Sequence, residues 1–129
     1  MKTNILILTS LLFIISCKKV KLPDNQSELL IGKWQYVTSS GGMTGRQENA
    51  GRPEIEYTKY GKYKYKDKKL FNCNSKFEIV TINSIYTNKE VYAISYQREP
   101  IRQSFLIRND TLFLRDEATD SYGYTYIRK

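Results

Sequence analysis

From residue 32 to its end the chain is a succession of short segments in which bulky and polar residues alternate, separated by turn formers. Alternation with a period of two places one set of side chains on each face of a strand. Residues 32–39 alternate Trp34, Tyr36 and Thr38 with Lys33, Gln35 and Val37. Residues 54–60 and 62–67 alternate around Gly61, where a left-handed turn is expected. Residues 76–83 and 90–98 are rich in β-branched and aromatic residues, and Pro100 ends the second run. Residues 104–108 and 111–115 flank Asn109-Asp110, two turn formers between apolar runs, which predicts a tight hairpin. Residues 122–128 form a last strand. Upstream, Asp24 or Asn25 can cap a short N-terminal helix, with Glu28 in capping-box spacing from Asn25, Leu29 to Ile31 as its apolar end, and Gly32 as its stop. This pattern predicts an all-β fold, a small up-and-down antiparallel β-barrel. Closure removes the exposed edges that so basic and aromatic a chain would otherwise present.

The N-terminus has another character. Lys2 precedes an apolar run, residues 5–15, and Ser16-Cys17 closes it. A helix of that length reaches about half of a ~30 Å hydrocarbon core, so the segment reads as a signal peptide and not as a span. Ile14-Ile15-Ser16-Cys17 resembles a bacterial lipobox, in which the cysteine is diacylated and becomes the first mature residue. The resemblance implies a lipoprotein held in the membrane through palmitate-type chains on Cys17, and two or more chains give stable anchoring. The expected organisation is a signal peptide over residues 1–16, a lipidated cysteine and basic tether over 17–24, and one barrel domain over 25–129. Cys73 then stands as a lone thiol, either a small buried apolar residue or a reactive one.

The chain carries a formal charge of +8. Attraction to phosphate-rich headgroups suits that charge, and export argues against nucleic acid as a partner. Lys18, Lys19 and Lys21 follow the proposed anchor; Lys62, Lys64, Lys66, Lys68 and Lys69 form a second cluster. The first three of that cluster alternate with Tyr63 and Tyr65, so they are the wet face of one strand. The basic run after Cys17 predicts a domain facing the periplasm from the inner or outer membrane, and not the cell surface.

Catalytic chemistry finds little here. The chain has no histidine, which removes the usual general base and metal ligand. Asp116, Glu117 and Asp120 cluster in one stretch and read as a solvated loop. Residues 40–53 contain four glycines without the spacing of a P-loop. No enzyme, no metal and no cofactor is expected.

Three features in order resemble the lipocalin-like domain of small bacterial lipoproteins. They are Gly32-Lys33-Trp34 at the start of the first strand, Tyr57 to Gly61 to Tyr63 after a glycine-rich loop, and Asn109-Asp110-Thr111-Leu112 leading to Tyr124, Tyr126 and Arg128. The resemblance implies that Trp34 packs at the closed end of the barrel under Arg128 of the last strand, with Gly32 and these two residues as a structural closure. It also implies non-catalytic binding of a small hydrophobic or amphipathic ligand. The parity of the strands puts Ile55, Tyr57, Tyr63, Tyr65, Tyr92, Ile94 and Tyr96 on one face, away from Lys62, Lys64 and Lys66, as candidates to line a cavity. The alternative is a filled barrel in which these residues are core. The chain is then an envelope interaction or inhibitor module that binds a protein or an anionic lipid or glycan through its basic face and loops. A monomer is expected in either case.

Overall fold

A computed structural model describes residues 25–43, 51–66 and 72–129. The signal segment, Cys17, the basic tether, Lys68, Lys69, residues 44–50 of the glycine-rich loop and the side chain of Cys73 lie outside the described residues. The described chain forms one helical turn, α1 (Gln26–Leu30), and eight strands: β1 (Gly32–Gly41), β2 (Glu54–Tyr57), β3 (Lys62–Lys66), β4 (Asn72–Asn83), β5 (Glu90–Tyr96), β6 (Gln103–Arg108), β7 (Thr111–Asp116) and β8 (Tyr122–Arg128). Every neighbouring pair is antiparallel and β1 returns to β8, so the sheet is a closed up-and-down barrel.

The turns follow from local chemistry. Gly61 adopts φ +71°, and Thr58 and Lys62 are joined across that turn by a backbone hydrogen bond of 2.9 Å. Asn109, with φ 53°, opens the two-residue connection between β6 and β7, which asparagine tolerates better than most residues. Two expectations are corrected. Asn25 sits at φ 54° and its side chain makes no cap hydrogen bond, so the capping box with Glu28 does not form. The alternation of β1 also breaks: Tyr36 faces Tyr126, but Thr38 faces Thr125 and Ser39 faces Tyr124, with an irregularity between Tyr36 and Thr38. A bulge adds one residue to the strand and shifts its parity. Thr38 therefore turns outward, and Ser39, 1% exposed, turns in.

The interior is one apolar cluster built from Leu30, Trp34, Ile55, Tyr57, Ile94, Leu112, Leu114 and their neighbours. At one end α1 closes it. Trp34, fully buried, donates its indole N–H to the Leu30 carbonyl at 3.0 Å. Arg128 donates to the carbonyls of Leu29 at 2.6 Å and Ile31 at 3.2 Å, and its guanidinium lies 4.3 Å from the Trp34 ring centre. Three successive carbonyls at the end of α1 are thus satisfied by side chains of the first and last strands. Such groups otherwise require a further turn or water. Gly32, with φ +140°, passes so close that a Cβ there would stand 2.7 Å from the guanidinium.

The wall is uneven. β6 and β7 pair over six residues, whereas β5 and β6 share only Ala93–Ser104 and Ile94–Gln103. The Ile107 N–H bonds instead to the Gln26 side-chain oxygen at 3.1 Å, so α1 supplies an acceptor to β6. The turn after β4 leans on the loop after β7. Glu117 accepts from the Ser84 hydroxyl and the Ile85 N–H, and Tyr86 donates to the Ala118 carbonyl at 2.6 Å.

Candidate functional site

All seven cavity candidates sit on the inward face, and five of them are packed core. Ile55, Tyr57, Tyr63, Ile94 and Tyr96 are each less than 5% exposed, while Tyr65 and Tyr92 are half-buried and pack against the same cluster. The rings of Tyr57, Tyr63 and Tyr96 fill the space that they would have lined. Tyr57 stacks on Tyr63 at 5.1 Å, Tyr63 meets Tyr96 at 4.7 Å, and Phe77 meets Tyr57 edge-on at 5.1 Å. Buried phenols need partners for their hydroxyls. Tyr57 and Tyr96 share a hydrogen bond of 2.6 Å, and Tyr96 donates to Gln103 at 2.7 Å. Gln103 donates to one Asp116 oxygen at 2.6 Å, and Tyr124 donates to the other at 3.0 Å. A polar chain therefore runs from the centre of the barrel to its mouth.

Gly51 and Arg52, just before β2, complete that mouth. Gly51 lies flat against Tyr36, where a Cβ would meet the ring at 2.0 Å, so only glycine permits the approach. The next residue, Arg52, turns into the barrel. It donates to the Tyr63 hydroxyl at 2.6 Å and to Glu99 at 2.8 Å, with its guanidinium 3.5 Å from the Tyr65 ring centre. These groups, with Gln103, Leu114, Asp116, Tyr124 and Tyr126, line a half-open space of about 180 Å³. Burial pushes the Tyr57 and Tyr96 phenols well above their ordinary value. It does the same at Tyr63 against the pull of Arg52, and at Tyr124 together with the Asp116 charge.

Two larger and more open spaces are present as well. One, of about 890 Å³, runs along β5 to β8 and β1, and its lining joins inward-facing Ser39, Tyr92, Phe105, Leu114 and Tyr124 to outward-facing Leu106 and Phe113, which sit directly opposite each other. The other, of about 710 Å³, crosses the start of β3 and the middle of β4. Lys59, Lys62, Lys64, Lys76 and Arg98 line it, with Glu56 as its acidic residue. Lys62 and Lys76 are direct cross-strand partners. Like charges in that position repel, and the ion pairs among the described residues include none of the five cations. Lys66, further along β3, pairs with Glu54 at 3.3 Å.

Sequence reasoning found the inward parity of the tyrosines but missed Arg52, Glu99, Gln103 and Asp116. Arg52 lies in a glycine-rich stretch with no periodicity, and only the Gly51-Arg52-Pro53 triplet hinted at a fixed conformation. Asp116 and Glu117 diverge, the first toward the barrel interior and the second toward the β4–β5 turn. Among the described residues no group of three or more acidic or cysteine side chains could hold a metal ion, and no helix is long and apolar enough to cross a membrane. No protein-family model, no curated protein and no solved structure matches the chain.

Proposed function

We propose that the chain is a lipid-anchored, periplasm-facing, lipocalin-like barrel that acts without catalysis as an envelope interaction module. It binds phosphate-bearing lipid or glycan through the groove on β3 and β4. The single observation that carries this reading is the Lys62–Lys76 pair inside a five-cation groove. The repulsion across that pair is relieved when an anion bridges it. Each lysine near an anionic surface contributes about 1 kcal/mol, so the groove and the basic tether act together. The mutual packing of Tyr57, Tyr63 and Tyr96 supports this module over a carrier whose ligand sits among the tyrosines of β2 and β3. The closure of Trp34 under Arg128 supports the lipocalin-like assignment.

The test has two arms. Replacing Cys17 by Ser abolishes incorporation of labelled palmitate; unchanged labelling removes the anchor from the proposal. The full Cys17→Ser chain, free of acyl chains, then sediments more completely with vesicles of phosphatidylglycerol in phosphatidylcholine than with phosphatidylcholine alone. Charge reversal by Lys62→Glu with Lys76→Glu weakens that binding roughly tenfold or more. Equal sedimentation with neutral vesicles, or indifference to the reversal, defeats the groove assignment.

A further inference from the structure

We propose that the barrel mouth is a binding site for a small zwitterion of the α-amino-acid type. Its carboxylate pairs with Arg52 and its ammonium with Asp116 and Glu99. The site is separate from the outer basic groove and does not depend on it.

The charge of the lining is the first argument. The chain is strongly basic, yet this space sets one guanidinium against two carboxylates. Three tyrosine rings, Tyr63, Tyr124 and Tyr126, complete the wall. Carboxylates beside aromatic faces suit an ammonium, which gains both ion pairing and cation–π attraction. A guanidinium suits a carboxylate, which it can grip with two parallel hydrogen bonds. The presence of both kinds of group selects a ligand that carries both charges.

Preorganisation is the second argument. Asp116 is held at both oxygens, by Gln103 and by Tyr124. Arg52 is held by Tyr63, by Glu99 and by the face of Tyr65. Fixed polar groups lose little freedom when a ligand arrives, and that lowers the cost of binding. Arg52 and Glu99 remain about one-third exposed, so the pair is reached from solvent.

Size is the third. A space of about 180 Å³ corresponds to roughly six waters at ~30 Å³ each. L-Alanine is small enough for that space, and an acyl chain is not.

The test titrates the native full-length protein, purified in detergent, by calorimetry with L-alanine, propionate and ethylamine. The last two each lack one of the charges. L-Alanine is expected to bind with a Kd on the order of 1 mM, and each half-ligand at least about tenfold more weakly. Arg52→Gln and Asp116→Asn each weaken L-alanine about tenfold or more while the far-ultraviolet circular dichroism stays native. Propionate or ethylamine binding as tightly as L-alanine overturns the proposal. So does an absence of saturable heat up to about 50 mM L-alanine, or full affinity in both folded variants. If a variant does not fold, the three-ligand comparison on the native protein decides alone.

Discussion

Arg128 shows how one side chain can close a barrel. It donates to two carbonyls of α1, covers the Trp34 ring, and reaches Asp110 at 3.8 Å in the β6–β7 turn. The Asp110 contact is exposed and contributes little. The bonds to the carbonyls and the indole matter more, because those groups sit where water is scarce. Trp34→Ala is expected to cost roughly 3–5 kcal/mol, the range for removing a buried aromatic. Arg128→Ala costs less, about 1–3 kcal/mol, through the carbonyls it leaves unpaired. The two losses overlap, because each change removes the same ring contact, and a double-mutant cycle by urea denaturation should show coupling of about 0.5 kcal/mol or more. Strict additivity would mean that the stacked pair contributes nothing.

At the scale of elements, α1 does what a longer strand pairing would do. The β5–β6 ladder is two residue pairs long, and Gln26 accepts the Ile107 N–H that a strand would otherwise take. A helix of five residues has almost no stability of its own, so its place is fixed by these tertiary bonds. Gln26→Ala is expected to destabilise the domain by about 1–2 kcal/mol, the cost of leaving a part-buried donor without its partner. Hydrogen exchange would locate the effect: the Ile107 amide loses protection first, while the amides of the β6–β7 hairpin hold. Unchanged protection at Ile107 would show that water replaces Gln26 at no cost.

The whole molecule has a pH response written into its core. Tyr57, Tyr63, Tyr96, Tyr124 and Tyr126 are all held above the ordinary phenol value, in each case chiefly because burial disfavours the phenolate. In the unfolded chain those phenols ionise near pH ~10. Below that pH both states are protonated and the stabilisation is fully present. Above it the unfolded state sheds protons that the folded state keeps, so stability falls as pH rises. Tyrosinate absorbance and circular dichroism followed together from pH ~9 upward should show the buried set ionising only with unfolding. Ionisation of all eleven tyrosines while the dichroism stays native would refute the packed-core description.

Local chemistry determined a great deal by itself. Period-two alternation and the turn formers Gly61 and Asn109-Asp110 placed strands close to β1, β3 and β5 to β8, and the order of short runs implied a barrel. Parity put Tyr57, Tyr63 and Tyr96 on the inward face, because lysines on the other face cannot be buried unpaired. Three things lay beyond that reach. The bulge near Val37 reverses the face of Thr38 and Ser39, and its position depends on the register with β8, which no local pattern encodes. The hollowness of the barrel depends on how rings from β2, β3 and β5 fit together, and their centres meet within about 5 Å only once the sheet has closed. The mouth joins Arg52, Glu99, Gln103 and Asp116 from two loops and two strands. Only the closed sheet brings them together, since hydrophobic alternation carries no information about which polar residues will face one another across it.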